Sequence, residues 1–347
     1  MNQIIRNALG IGCVFGIVTV KAMPAAFFLL LGKFLLPLYY LLRLKHAREV
    51  NSRIACSPFR DRFSIHEYYR MRLYLFINSI KMHSPESFPE RVMVKNRDLF
   101  AAALASNRPV VLCGLHMGLF EILHKIPWRQ TAESGRTFNV LTAPAFSPRL
   151  TEYLKKGRQA GGKNLVPNNS LLSAVRRTIN GREALGIMLD QSPAREKELL
   201  TLWGTIQIPF PQSLLQTMAR AGAIIMPVST WVGARQTVIV KYHDPLNGAG
   251  EYHNNSIELF VTIKMFLEQE ISRAPEQWNW SYPGIRAGGK PDTTGIQMTN
   301  FRREPGAMRG RCADANPCSP SERPRSALHA KAVGHSLSYH FSVVSPP

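Results

Sequence analysis

Residues 109–121 read PVVLCGLHMGLFE. The first seven form a short apolar run rich in β-branched side chains, which suits a strand buried on both faces. His116-Met117-Gly118 breaks that run, and residues 119–126, LFEILHKI, read as a helix. An imidazole therefore stands at a strand-to-helix turn, with Glu121 in the first helical turn. The same alternation continues downstream. FNVLTA (138–143) is a strand candidate, followed by a helix around 148–160 that carries Arg149, Lys155, Lys156 and Arg158. The polar segment GGKNLVPNNS leads to a helix over 171–179, and ALGIMLD (184–190) reads as a buried strand ending in Asp190-Gln191. A helix over 213–222 ends in glycine, as helices often do. Strands over 223–231 and 237–245 and a helix over 256–273 complete the series. Strands alternating with helices predict an α/β domain, a central and mainly parallel sheet flanked by helices. There are no internal repeats.

Upstream, residues 46–100 read as helical. The stretch IHEYYRMRLYLFINSIKM (65–82) spaces its apolar and aromatic residues at helical intervals and reads as ordinary packing, with no chemistry assigned to it. Residues 8–42 are overwhelmingly apolar, but Lys21 and Lys33 interrupt them, and Pro24 and Pro37 start or kink helices there. No uninterrupted run reaches the roughly 18–20 residues of a clean spanning helix, although lysines near a bilayer can snorkel. Arg43, Lys45 and Arg48 form a basic flank, which the positive-inside rule puts on the cytoplasmic side. Residues 1–45 are thus expected to be a membrane anchor or interfacial helix pair, residues 46–286 the folded domain, and 287–347, rich in Gly, Pro, Ser and Arg, a disordered tail. A buried hairpin is the bland alternative for the N-terminus. A cleaved signal peptide fits poorly, since the apolar region is too long.

Composition narrows the function classes. The 347 residues carry 43 Lys+Arg against 23 Asp+Glu, a formal charge of +20. That balance implies an anionic partner. The basic residues are spread along the chain without a zinc-finger, basic-zipper or RNP-type pattern, so a membrane surface is favoured over nucleic acid. Hydrophobic residues at 45% exclude wholesale disorder, and a mean hydropathy of −0.11 excludes a polytopic membrane protein. Cys13, Cys56, Cys113, Cys312 and Cys318 form no C-x-x-C pair, which argues against a disulfide framework or a structural zinc site. Neither a metal nor an organic cofactor is expected.

The chemistry-bearing constellation is His116 with Glu121. An imidazole at a strand end can act as a general base near neutral pH, and a carboxylate on its other ring nitrogen fixes the tautomer. The spacing alone decides nothing: ten His and 23 acidic residues in 347 give roughly 0.7 chance matches to H-x4-[DE]. The chain has two, His116/Glu121 and His253/Glu258. Context separates them, because His116 follows an apolar strand whereas His253 lies in the polar stretch GEYHNNS. The competing reading of His116 is a core histidine bonded to backbone. Cys113 sits inside the apolar strand and reads as packing. There is no G-x-S-x-G elbow, no G-x-x-x-x-G-K-[ST] loop and no G-x-G-x-x-G fingerprint.

Taken together, several segments resemble the bacterial lipid A biosynthesis acyltransferases, the lauroyl/myristoyl transferases within the wider H-x4-D/E glycerolipid acyltransferases. They are NSRIACSPF (51–59), GLHMGLFE (114–121), the helix with Arg158, MLDQ (188–191), LWGTIQIPFP (202–211), MARAGAIIMPV (218–228) and APEQWNWSYPGIR (274–286). The resemblance implies a glycerolipid-acyltransferase-like fold and a fatty acyl transfer from acyl-carrier-protein thioester to a hydroxyl of a lipid A precursor. It implies His116 as base, Glu121 as its partner, and Arg158, Asp190 and Gln191 as substrate-binding residues. It also implies an anionic membrane as partner and a place on the cytoplasmic face of the inner membrane. Another lipid acceptor, such as a lysophospholipid or amino lipid, and a non-catalytic membrane-binding protein of the same fold stand as alternatives.

Overall fold

A computed structural model describes the chain from residue 3 to residue 288, apart from residues 23, 25, 26, 28, 29, 32–43, 83–88, 90, 143–146, 160–163, 168–170, 182, 193–197 and 247–255. The tail expected over 287–347 lies outside the described residues beyond position 288, as does residue 32–43 of the apolar N-terminus. In chain order the elements are α1 (Gln3–Ala22), α2 (Leu44–Ala55), α3 (Ile65–Lys81), β1 (Val92–Lys95), α4 (Arg97–Ala105), β2 (Val110–Gly114), α5 (Ile126–Glu133), β3 (Phe138–Thr142), α6 (Pro148–Gln159) and β4 (Asn164–Pro167). They continue with α7 (Leu171–Gly181), β5 (Ala184–Met188), β6 (Leu199–Leu202), β7 (Ile206–Pro209), α8 (Gln212–Arg220), β8 (Ile224–Val232), β9 (Val238–Tyr242), α9 (Ser256–Arg273) and β10 (Arg286–Ala287).

Seven strands form one sheet in the order β1-β9-β8-β2-β5-β3-β4. Every neighbouring pair is parallel except β8 and β9, so the expected mainly parallel sheet is present. β2 lies at its centre, and its residues divide between two apolar layers. Val111 and Cys113 face one core, Val110 and Leu112 the other. That division follows from the alternation of side chains along a strand, and it explains why the segment is apolar without a break. A smaller sheet, β10-β7-β6, is antiparallel.

The departures from the sequence reading have local causes. β1 lies inside the stretch expected to be helical, because VMVK is too short for its period-2 burial to stand out. β4 hides in the polar segment for the same reason. Residues 120–124 form a 3₁₀ turn, and a separate helix, α5, starts beyond it. Pro127 at the start of α5 lacks the N–H a continuous helix would need, so a new helix begins there. α3 starts as a capping box: the Glu67 N–H donates to Ser64 Oγ at 3.2 Å, and the Ser64 N–H donates to Glu67 Oε2 at 2.7 Å. α1 packs against α3 and α6. Among the described residues no helix is long and apolar enough to cross a membrane.

Candidate functional site

Strand register builds the site. β2 and β5 run parallel with Gly114 opposite Met188, and the Leu189 N–H donates to the Gly114 carbonyl at 2.9 Å. Two residues past the end of each strand, His116 and Asp190 therefore meet. The carboxylate accepts from the His116 backbone N–H at 3.1 Å and lies 2.9 Å from His116 Nδ1. It also accepts from the Trp278 indole N–H at 2.9 Å. A carboxylate accepts only, so Nδ1 carries the proton and Nε2 is left with its lone pair. Among the described residues Nε2 has no hydrogen-bond partner.

The turn that presents His116 is held on both sides. The Asn279 N–H donates to the His116 carbonyl at 3.0 Å, and the Gly118 N–H donates to the Gln277 carbonyl at 3.2 Å. Gly118 has φ +56°, and a Cβ there would stand 2.7 Å from the Thr230 carbonyl oxygen. Glycine is required on both counts. The imidazole stacks on Tyr282, with centroids 4.8 Å apart and planes at 24°, and meets Phe120 edge-on at 4.9 Å.

Asp190 is fully buried. Burial alone would push its carboxyl up, but the charge of His116 and the hydrogen bonds from His116 and Trp278 outweigh that and hold it below the ordinary carboxylate value. An ionised Asp190 in turn stabilises an imidazolium at His116. Cys113 is buried in β2, and burial pushes its thiol up, away from nucleophilic use.

The clamp on Nδ1 expected of Glu121 is therefore made by Asp190. Glu121 sits on the 3₁₀ turn with a carboxylate oxygen 3.6 Å from His124 Nε2. Glu121 also lines a groove of about 560 Å³ between α1, α3, α6 and the 118–121 turn, walled by Ile17, Val20, Leu75, Phe76, Phe120 and Leu154 among others. Gln191 is half-buried beside Asp190. Arg158 lies on α6, and its side chain is outside the described set. Among the described residues no group of three or more His, Cys, Asp and Glu side chains is placed to hold a metal ion. Trp278 and Tyr282 carry site contacts that the sequence reading did not assign. Their one signal was aromatic density in WNWSY, and Trp278 and Trp280 are completely buried.

The comparisons with known proteins join this geometry to a family. Residues 66–283 match the family model described as bacterial lipid A biosynthesis acyltransferase. No curated protein matches the chain.

Proposed function

The chain belongs to the bacterial lipid A biosynthesis acyltransferases, and from that premise we propose that it moves a fatty acyl chain from an acyl-carrier-protein thioester to a hydroxyl of a lipid A precursor. The family makes it an acyltransferase with a lipid acceptor. One observation carries the mechanism: an imidazole whose Nδ1 is clamped at 2.9 Å by the buried Asp190, and whose Nε2 makes no hydrogen bond to a described residue. His116 takes the proton of the acceptor hydroxyl on Nε2 as the oxygen attacks the thioester carbon, and Asp190 stabilises the imidazolium that forms. A thiolate leaves readily, so no covalent enzyme intermediate is needed. The apolar groove that reaches Phe120, the ring against His116, suits the hydrocarbon of the acyl donor.

The N-terminus supports a membrane surface as partner. α1 exposes Ile11, Phe15 and Val18, spaced four and three residues apart on one helical face, and Phe15 is 74% exposed. We assign α1 to the interface of the inner membrane on its cytoplasmic side, lying in the headgroup region without crossing. The charge of +20 suits anionic lipid, acceptor phosphates and an acidic carrier protein alike. The test is mass spectrometry of lipid extracts from cells with and without the gene, paired with transfer assays of the purified chain in mixed micelles. A lipid A species short of one acyl chain in the deleted cells is the expected result. A changed phospholipid or amino lipid instead redirects the acceptor, and an unchanged lipidome with no transfer to any acceptor defeats the reading.

A further inference from the structure

α3 read from sequence as a packing helix without chemistry, yet it places a guanidinium where the reaction has no assigned donor. Arg72 lines the groove together with Gly118, Phe120 and Glu121. Its Nη1 is buried, and among the described residues it has no hydrogen-bond partner. No ion pair joins Arg72 to any described carboxylate. Apolar side chains dominate that lining, and Arg72 and Glu121 are its charged members among the described residues.

Three contacts of its neighbours relate Arg72 to the imidazole. One turn before it on α3, the Tyr68 hydroxyl accepts from the Ser281 N–H at 3.1 Å, and the next residue, Tyr282, stacks on His116. On the opposite wall, Phe120 meets the His116 ring. Arg72 thus shares the groove lining with Phe120, which touches the imidazole, and lies one helical turn from Tyr68, which holds the residue next to Tyr282. Arg72 is half-buried, and a buried Nη1 left without an acceptor is costly; such a cost is tolerated where an incoming group completes the site. The acyl carbonyl oxygen is an acceptor that arrives there with the donor and gains full charge during attack.

Resting on the acyl-transfer reading above, we propose that Arg72 is a catalytic residue that donates to the thioester carbonyl oxygen as it becomes an oxyanion. In the first step the acceptor O–H proton goes to His116 Nε2, the acceptor oxygen bonds to the carbonyl carbon, and the carbonyl π pair moves onto its oxygen, where the Arg72 N–H groups hold it. In the second the oxyanion pair re-forms the carbonyl, the C–S bond breaks, and the thiolate takes the proton from the imidazolium. The products are one ester and one thiol.

The test measures kcat, KM for both substrates, and Tm for the full chain carrying Arg72→Met, Arg72→Gln or Arg72→Lys, beside wild type and His116→Ala. Arg72→Met is expected to lower kcat by roughly 10²–10³-fold with both KM values unchanged, the loss typical of one oxyanion donor. Lys restores part of kcat, and Gln falls between. Removing a half-buried guanidinium whose Nη1 has no hydrogen-bond partner among the described residues leaves Tm unchanged or raised. Wild-type kcat in Arg72→Met, while His116→Ala is dead, overturns the assignment of Arg72 alone. So does a rise in KM for the acceptor at constant kcat, which would make Arg72 a ground-state headgroup contact. A fall in Tm in all three variants that parallels the activity loss would make it structural. A wild-type chain that transfers to no acceptor defeats the functional reading, and this inference with it.

Discussion

Among the described residues three histidines lie beside carboxylates, and two of them, His116 and His243, are built for opposite ends. His116 and His243 have similar side-chain exposures, 11% and 15%. Access alone does not separate them. At His116 the carboxylate of Asp190 lies 2.9 Å from Nδ1, and its other bonds come from the His116 backbone and Trp278. At His243 the carboxylate is Glu270, 3.9 Å from Nε2, and Arg273 already binds it at 3.1 Å. The same Nε2 lies 2.9 Å from Ser229 Oγ. One histidine has a carboxylate that no other described cation pairs with, and keeps the opposite nitrogen open. The other shares its carboxylate with an arginine and spends Nε2 on a buried serine. Burial pushes the His243 imidazolium down to about 4, with Lys241 and Arg273 adding to that and Glu270 and Asp244 opposing. A base must be able to accept a proton near neutrality, and His243 is held neutral there instead.

The comparison breaks most sharply at His116. His116→Ala is expected to abolish detectable transfer, a loss of at least ~10²–10⁴-fold for a general base, with the fold intact by circular dichroism. Equal loss from His243→Ala with its fold retained would erase the distinction. Asp190→Asn ranks next. Its amide can no longer accept from the imidazole and both N–H groups as an anion, the wrong tautomer is favoured, and kcat should fall by roughly 10²–10⁴-fold. Asp190→Ala also leaves His116 and the Trp278 N–H without their acceptor, and should cost about 3–5 kcal/mol in a urea titration. Near wild-type kcat in Asp190→Asn would return the role of clamp to Glu121. Glu121→Gln is the sharper of the two, because its carboxylate lies by His124 rather than on Nδ1. We expect a smaller loss of kcat than in Asp190→Asn.

How much of this was legible depends on whether the cause was local. The strand 109–115, the turn at His116 and the parallel sheet follow from a run of apolar residues and its break, which one stretch of sequence contains. The Asp190 partnership does not: it comes from the register of two strands 74 residues apart in sequence. H-x4-E spacing pointed to Glu121 because a sequence displays neighbours, and the 3₁₀ turn at 120–124 then carried Glu121 toward His124. Arg72 looked like one more polar position on an amphipathic helix, since the lack of a partner for its Nη1 among the described residues is a property of the packed molecule. Trp278 is likewise an ordinary aromatic until it donates to Asp190.

The smallest expected effect tests the other half of the comparison. His243→Gln should leave kcat at neutral pH unchanged, because His243 is assigned no part in transfer, and change how stability depends on acid. A histidine whose folded-state value is lowered from 6.5 to about 4 is favoured as the neutral form in the folded protein. The groups facing it are Glu270 and Arg273 on α9, with Lys241 and Asp244 on either side in sequence. Its contribution is complete above the unfolded value and is lost as pH falls from about 6.5 to 4, since the unfolded chain takes up the proton first. Glu270, itself held below the ordinary carboxylate value, adds a loss only at lower pH. Tm of the wild type should therefore decline across that window, and Tm of His243→Gln should decline less. Parallel Tm curves for the two proteins would mean that His243 binds its proton equally in both states, and the contrast with His116 would then rest on geometry alone.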